Sequence, residues 1–181
     1  RAFVGNIAQS DGALANSWRN AGVVVLGKST TPEMGLTSTT EPLVTGETRN
    51  PLDLSRMTGG SSGGAAALVA ARVVPFAHAS DGGGSIRIPA STCGLFGMKP
   101  SASRLYSRKG PKPPVDISIS NCVTLTVRDS EALFRVAEKA TDYPALEAAS
   151  PLNRKLRIGF APTATTGTAV APETTTALEN T

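Results

Sequence analysis

Two clusters of glycine and serine carry the strongest chemical signal in the sequence. Residues 59–64 read Gly-Gly-Ser-Ser-Gly-Gly, and residues 81–85 read Asp-Gly-Gly-Gly-Ser. Glycine has no Cβ, so it accepts unusual backbone angles and lets a substrate carbonyl come close to backbone N–H groups. Such a loop can form an oxyanion hole beside a nucleophilic serine. The residue types therefore predict acyl-transfer chemistry.

Linker and nucleotide-binding roles fit the glycines poorly. A flexible linker would not be followed at once by the apolar segment 65–71. A Walker phosphate loop requires Lys and then Ser or Thr after its second glycine, where Ala65 and Ala66 stand instead. The glycines also lack the spacing of a dinucleotide fingerprint. Nucleotide binding is therefore disfavoured.

A serine nucleophile needs a base, and histidine is the usual one. His78 is the one histidine of the sequence. It lies on a predicted strand, where a structural role is commoner, and the nucleophile-elbow pattern is absent. The residues therefore favour activation by a neutral lysine, with a second serine able to relay the proton.

The elements that would position these clusters alternate between helix and strand. Leu14, Trp18 and Ala21 recur at helical spacing and predict a helix packed by one face. The apolar run 23–26 predicts a strand buried on both faces. Residues 31–33, Thr-Pro-Glu, predict the start of a short helix. A helix followed by a buried strand indicates a layered α/β fold.

Around the clusters, residues 36–58 show neither the strand period nor the helix period. So long a stretch without structure is usually functional, and we expect it to wrap the site. Residues 65–71 are apolar on every face and predict a buried helix. Residues 73–79 predict a strand that leads to the second cluster.

The second half of the chain carries weaker signals. Residues 101–120 are rich in proline and basic residues and predict a surface loop, with nucleic-acid contact the less favoured interpretation. Residues 133–140 are spaced as in an amphipathic helix that starts behind Asp129 and Ser130, and residues 156–160 alternate as in a strand. A last helix is predicted to begin near Pro172.

Composition restricts the class of protein. A length of 181 residues with 40% apolar residues is that of one globular domain or a piece of one, and no apolar stretch reaches the ~18 residues of a membrane span. The formal charge of +4 comes from scattered Lys and Arg residues, which does not indicate nucleic-acid binding. Cys93 and Cys122 are too few for a disulfide framework and lack zinc-site spacing, so we expect free thiols, a cytoplasmic location and no metal.

The clusters and their flanks resemble the amidase signature family. The resemblance rests on residues 59–67 (GGSSGGAAA), 81–90 (DGGGSIRIPA) and 93–100 (CGLFGMKP). It extends upstream through residues 27–33 and downstream through residues 127–129.

The fold that this resemblance implies is α/β, with a mixed β-sheet core covered by helices on both faces. Residues 1–181 would form a partial domain of the family. Within it, residues from about 20 to 130 would be the signature core and residues 131–181 a variable segment.

The resemblance also implies roles for individual residues. Ser85 would be the nucleophile that becomes acylated, and Ser61, next to a cis peptide, would pass the proton between Ser85 and a lysine. The backbone N–H of Ser85 would join an oxyanion hole with those of three glycines, Gly82, Gly83 and Gly84. Supporting roles fall to Ser62, which is mainly structural, and to Asp81 and Arg87, which would brace the loop.

The general base is not among these residues. In the family the lysine lies on a strand upstream of the region that Arg1 matches, in a segment absent from this sequence. Lys28 aligns with a different family lysine, and a structural role at a strand end is favoured for it. Lys99 is a weaker candidate still.

We therefore expect an amide-bond hydrolase that acts on a small-molecule amide, with no cofactor, no direct nucleic-acid contact and no membrane contact; a homodimer of the full-length protein stays open. Two alternatives also stay open: an amidotransferase subunit that supplies ammonia from glutamine to an aminoacyl-tRNA partner, and a catalytically inactive fragment. The sequence begins at Arg1 and stops at Thr181 inside a predicted helix. We expect the chain alone to be truncated at both ends, inactive and marginally stable.

Overall fold

The computed structural model describes residues 5–102, 104–105, 117–138, 153–157, 159, 161, 163–164 and 166–180. The chain divides into two compact units, Arg1–Leu146 and Glu147–Thr181. In chain order the elements are α1 (Ala13–Asn20), a 3-10 turn (Glu33–Gly35), β1 (Arg49–Asn50), β2 (Asp53–Met57), α2 (Gly63–Ala70), β3 (Phe76–Asp81), α3 (Arg87–Thr92), β4 (Phe96–Gly97), β5 (Ile119–Thr124), α4 (Val127–Ala137) and α5 (Pro172–Glu179). The expected mixture of helices and strands is confirmed.

The main sheet has β5 at its centre. β3 and β4 each pair with β5 in the antiparallel direction. β3 is the strand predicted over residues 73–79, displaced toward the second cluster. Its last residue, Asp81, lies opposite Ile119, the first residue of β5. The second glycine–serine cluster therefore begins where the sheet ends.

One face of this sheet is covered by α1 and α4. Leu14 and Trp18 of α1 pack with Phe134 and Ala137 of α4 and with Cys122 of β5. Residues four apart on a helix share one face, which is why the two α1 side chains reach this layer together. The helix predicted from that spacing is confirmed.

The other face is covered by α2 and α3. Val123 follows Cys122 on β5, and successive strand residues point to opposite faces, so Val123 enters this second layer. It packs there with Ala65 and Val69 of α2 and with Ile86. Helices on both faces are therefore confirmed, and α2 is the buried helix expected after the first cluster.

Two later helices are also present. The amphipathic helix predicted to start behind Asp129 and Ser130 is α4, which begins slightly earlier, at Val127, because the Thr126 hydroxyl accepts a hydrogen bond from the Asp129 N–H. The helix predicted near Pro172 is α5, with that proline in its first turn. Among the described residues, no helix is both long and apolar enough to cross a membrane.

The strand predicted over residues 23–26 is wrong. No strand forms there, and Val24, Val25 and Leu26 are 77%, 64% and 77% exposed. A strand buried on both faces needs neighbours that take up its backbone hydrogen bonds. No described residue pairs with this segment, so the apolar run alone does not form a strand.

Residues 36–58 hold more structure than expected. β1 and β2 form a small antiparallel pair, with Asn50 opposite Asp53. Every residue of β2 is exposed, so the strand does not need the alternation of apolar and polar residues by which a half-buried strand is recognised in sequence. Between the strands, the Asn50 side chain accepts a hydrogen bond from the Leu52 N–H at 3.0 Å, a local turn contact typical of Asn.

The surface loop predicted over residues 101–120 is wrong at its end, because Ile119 and Ser120 belong to β5. Some of the predicted positions lie outside the described residues: 103 and 106–116 of this loop, 139–140 of the amphipathic helix, and 158 and 160 of the strand at 156–160.

Candidate active site

Both glycine–serine clusters line one cavity of about 390 Å³. The first cluster contributes Ser61, and the second contributes Gly82, Gly83 and Ser85. The other lining residues come from the segment before β1 and from the ends of the sheet and α3: Met34, Gly35, Leu36, Thr37, Ser38, Ser80, Ile88, Ile117 and Ser118. The fold thus brings the two candidate catalytic serines to the same pocket.

The loop that carries Ser61 is held by close backbone packing. Its Gly60–Ser61 peptide is cis. A Cβ at Gly60 would lie 2.4 Å from the carbonyl oxygen of Thr39, and a Cβ at Gly64 would lie 2.5 Å from the backbone of Thr30. Glycine is therefore required here because two backbone segments approach closely, and not because the loop is flexible.

Ser62 lies outside the cavity. It is buried, and its hydroxyl accepts a hydrogen bond from the Ser80 N–H at 3.3 Å. This contact ties the start of α2 to the end of β3. It supports the structural role expected for Ser62.

Asp81 organises the loop that carries Ser85. Its buried carboxylate accepts hydrogen bonds from the N–H groups of Gly84 at 2.8 Å and of Ile86 and Arg87 at 3.4 Å each. The Arg87 guanidinium donates to both carboxylate oxygens, at 2.8 and 3.0 Å. Burial pushes the pKa of Asp81 upward, but the hydrogen bonds and charge of Arg87, with the Gly84 N–H, outweigh burial and hold that pKa below its ordinary value. The turn is thus closed by a charged carboxylate.

One of the backbone N–H groups expected to form the oxyanion hole, that of Gly84, has another partner. The N–H of Gly84 is engaged by Asp81, and Gly84, at φ +127°, does not line the cavity. Gly82 and Gly83 do line it. Within the part of the chain that the structure describes, the N–H groups of Gly82, Gly83 and Ser85 have no hydrogen-bond partner. These three are the remaining donor candidates, while Gly84 shapes the turn.

The basic residues weighed from the sequence lie elsewhere. The His78 ring on β3 meets the Trp18 ring edge to face, with centroids 6.2 Å apart. Lys28 lines a separate open groove, and Lys99 lines neither. Among the described residues, those that line the serine cavity include no lysine, histidine or carboxylate. The base of the relay is therefore not one of them.

The sequence analysis missed the apolar wall of the cavity. This wall consists of Met34, Leu36, Ile88 and Ile117. Met34 has φ 57°, in the left-handed region that non-glycine residues seldom adopt. Of residues 36–58, which we expected to wrap the site, only the first three line the cavity. The one sequence signal for the wall was the apolar residue Met34 next to Gly35, close to the predicted short helix.

The described residues offer no alternative metal or thiol chemistry in the cavity. No group of three His, Cys, Asp or Glu side chains lies close enough to hold a metal ion in that part of the chain. Cys93 and Cys122 are free and buried. Burial raises the pKa of Cys93, and raises that of Cys122 to about 12. Neither thiol is therefore activated as a nucleophile, and the polar side chains that line the cavity carry hydroxyl groups.

Comparison with known proteins identifies the family of this chain. The family model described as Amidase matches residues 1–181. This chain belongs to the amidase family. Its similarity to the 6-aminohexanoate-cyclic-dimer hydrolase of Paenarthrobacter ureafaciens is 53% identity over 98 residues, which is 54% of this chain and 20% of that protein.

Solved structures share the fold of this amidase-family chain. A bacterial aryl acylamidase of the amidase signature enzymes matches with a TM-score of 0.68 and 38% identity, over 72% of this chain and 27% of that one. A glutamyl-tRNA(Gln) amidotransferase subunit from Thermotoga maritima matches with a TM-score of 0.67 and 37% identity, over 76% of this chain and 30% of that one. The chain thus spans about a third or less of the length of the relatives that it matches.

Proposed function

We propose that this protein hydrolyses amide C–N bonds through an acyl-enzyme formed on Ser85, with Ser61 relaying the proton. The observation that carries the proposal is that Ser61, Ser85, Gly82 and Gly83 line the same cavity. Membership of the amidase family supports the same class of reaction.

The reaction begins with proton transfer. A neutral lysine amine, supplied from beyond the described lining of the cavity, accepts the hydroxyl proton of Ser61. Ser61 takes the proton of Ser85 in turn, and the Ser85 oxygen attacks the amide carbonyl carbon. The tetrahedral intermediate collapses with cleavage of the C–N bond, and the relay returns a proton to the departing amine. Water then attacks the acyl carbon through the same relay, releasing the carboxylic acid and restoring Ser85.

The negative charge of the tetrahedral intermediate would be held by backbone donors. The N–H groups of Gly82, Gly83 and Ser85 are unengaged among the described residues and belong to a loop braced by Asp81. Fixed donors of this kind cost no reorganisation during the reaction, and each contributes about 3–4 kcal/mol to transition-state stabilisation in comparable sites.

The substrate we propose is a small or oligomeric amide whose acyl group is uncharged. Met34, Leu36, Ile88 and Ile117 give the cavity an apolar wall, and the polar lining side chains are the hydroxyls of Ser and Thr. No charged side chain lines the cavity in the described part of the chain. A charged group next to the scissile carbonyl would therefore lose hydration without gaining a partner.

A second candidate function is that of an amidotransferase subunit, which takes ammonia from glutamine and passes it to an aminoacyl-tRNA partner. The likeness to the Thermotoga maritima amidotransferase subunit favours it. The two functions can be distinguished because an amidotransferase subunit requires partner subunits and glutamine. Hydrolysis of a simple amide by the purified protein would favour the amidase.

Two further properties follow as proposals for the whole protein. Both cysteines are free and buried, which supports a reducing compartment and hence a cytoplasmic location. A homodimer stays a proposal, and light scattering on the purified protein tests it.

The test of the function uses the full gene product, meaning the complete protein in which these residues occur. A fluorophosphonate probe, which reacts with activated serines, should label Ser85, as located by mass spectrometry, and Ser85→Ala should abolish the labelling. Ser55→Ala is the matched control, since Ser55 lies on exposed β2 and away from the cavity. Labelling that persists in Ser85→Ala would refute the assignment, and an unlabelled wild-type protein would favour the inactive alternative.

A further inference from the structure

We infer that Thr40 is a positioning residue for Ser61. The inference rests on the proposed function, because it gives Thr40 a task in the same proton relay. Thr40 does not line the cavity, and no part of it is exposed to solvent. Its effect on the reaction would therefore be indirect, through the segments that it holds in place.

The Thr40 hydroxyl bridges the two sides of that loop. It donates a hydrogen bond to the carbonyl oxygen of Gly59 at 2.9 Å. It accepts a hydrogen bond from the N–H of Gly63 at 3.2 Å. Gly59 lies before Ser61 and Gly63 lies after it, so one hydroxyl holds both flanks of the serine. A hydroxyl has one proton and two lone pairs, so the two bonds can exist together.

The bridge is itself anchored. The Thr40 carbonyl accepts a hydrogen bond from the Thr48 N–H at 2.9 Å. On the other side, a Cβ at Gly63 would lie 2.3 Å from the Thr40 hydroxyl oxygen, so the start of α2 approaches this side chain closely enough to leave room only for glycine. The loop therefore cannot shift toward Thr40, and it cannot shift away without breaking a hydrogen bond.

Thr40 also connects the loop to the cavity wall. The segment that lines the cavity, from Met34 to Ser38, runs directly into Thr39 and Thr40. The Thr39 carbonyl oxygen lies 2.4 Å from the Cβ that an alanine would have at position 60. The segment that forms part of the cavity wall and the loop that carries Ser61 are thus packed together at residues 39 and 40, and the Thr40 hydroxyl supplies hydrogen bonds at this junction.

This placement matters because proton relays depend steeply on distance. The two serine oxygens must come within about 2.6–3.2 Å for proton transfer, and a displacement of about 1 Å can lower the rate about 100-fold. Threonine at position 40 supplies a donor and an acceptor on the two flanks of Ser61, while the Thr58 hydroxyl adds a second donor to the Gly59 carbonyl at 3.2 Å. Valine has the same shape and neither group, while serine has both groups without the methyl.

The test compares Thr40→Val, Thr40→Ser and a matched control in the full gene product. Thr124→Val is the control, because Thr124 is also fully buried and its hydroxyl also donates to one backbone carbonyl, that of Thr126 at 2.8 Å, within the β5–α4 connection. Butyryl p-nitroanilide serves as the substrate, and the fluorophosphonate labelling rate of Ser85 gives a second readout of acylation. Unfolding midpoints of the three variants are measured alongside.

We expect Thr40→Val to lower kcat and the labelling rate about 100-fold, with KM within about threefold of wild type. Thr40→Ser should stay within about threefold in both rates. Thr124→Val should lose a similar amount of stability and keep its rates. The inference is overturned if Thr40→Val loses no more activity than Thr124→Val, or if folded Thr40→Ser is as slow as Thr40→Val.

Two measurements keep the result decisive. If Thr40→Val does not fold, Thr40→Ser carries the test, and a 100-fold loss in this folded variant would count against positioning. If the wild-type Ser85 is not labelled, the proposed function has failed, and the crystal structure of Thr40→Val then tests positioning by itself. A Ser61 side-chain oxygen displaced by about 1 Å supports the inference, and an undisplaced one overturns it.

Discussion

Arg87 and Asp81 form a two-point ion pair at the turn that leads to Ser85, with Nε 2.8 Å from Oδ2 and Nη2 3.0 Å from Oδ1. The carboxylate is completely buried, while the arginine side chain is 56% exposed. The same carboxylate receives the Gly84 N–H, so a side-chain pair fixes a backbone turn. The family resemblance implied that both residues brace this loop, and the ion pair is consistent with that role and gives the first prediction.

Asp81→Asn should loosen the turn. The amide keeps the shape of the side chain but loses its charge, and its NH2 group meets N–H donors where the carboxylate accepted hydrogen bonds. We expect the free energy of unfolding to fall by about 2 kcal/mol and kcat for butyryl p-nitroanilide to fall about 100-fold. Asp53→Asn is the matched control, because the Asp53–Arg56 pair is solvent-exposed and its loss should change stability far less than the loss of the Asp81 carboxylate. Equal losses in the two variants would contradict this role for Asp81.

The contribution of Asp81 to stability should depend on pH. Its pKa is lower in the folded protein than in the unfolded chain, so folding favours the charged carboxylate. The contribution is therefore complete above the unfolded value of ~3.9 and is lost as pH falls through the lower folded value. Urea unfolding of wild type and Asp81→Asn should give a constant difference in free energy between about pH 5 and pH 7, and a shrinking difference below about pH 4. A difference that grows on acidification would show that the sign is wrong.

The candidate catalytic residues could be located from sequence because their signal is local. Glycine and serine types at residues 59–64 and 81–85 specify close backbone approach and hydroxyl groups whatever surrounds them. α2 was also readable from its unbroken apolar run, of which Ala65, Ala66 and Val69 are buried in the structure. Sequence alone did not show that the Gly84 N–H bonds to Asp81, because the partner of a single N–H depends on the turn geometry.

The features that the sequence did not predict depend on contacts between residues far apart in the chain. The run Val24–Val25–Leu26 has a buried-strand composition, yet a strand forms only beside a partner, and none lies there among the described residues. The apolar wall draws on Met34, Ile88 and Ile117, which share no period and meet only in the fold. Thr40 was invisible for the same reason, since its importance lies in two hydrogen bonds to another segment.

Gly63→Ala should be strongly destabilising. The new Cβ would lie 2.3 Å from the Thr40 hydroxyl oxygen and 2.4 Å from that of Thr58, and both threonines are fully buried. Such overpacking costs about 1–3 kcal/mol or prevents folding. Gly27→Ala is the control, because a Cβ there meets nothing within 4 Å and should change stability by less than about 0.5 kcal/mol. Urea unfolding measures both, and a neutral Gly63→Ala would mean that α2 is not packed as described.

Both cysteines should be unreactive in the folded protein. Burial raises the pKa of Cys122 to about 12, so only about one molecule in ten thousand carries the thiolate at about pH 8. Cys93 is likewise buried, and its pKa is raised in the same direction. Reaction with a disulfide reagent such as dithiobis(nitrobenzoate) should therefore wait for unfolding and become fast in urea. Rapid modification of Cys122 under native conditions would contradict its burial.

Single alanine substitutions of three serines should separate their roles. Ser85→Ala removes the proposed nucleophile and should abolish labelling by fluorophosphonate. Ser61→Ala keeps the nucleophile without its relay, so labelling should slow by about 10²–10⁴-fold, the range of a lost general base. Ser62 lies outside the cavity and only accepts the Ser80 N–H, so Ser62→Ala should cost about 1 kcal/mol of stability and less than tenfold in rate. Labelling rates at a temperature where all three variants are folded decide the order. A Ser62→Ala variant slower than Ser61→Ala would exchange the roles of the two neighbouring hydroxyls, because the relay must belong to whichever serine controls acylation of Ser85.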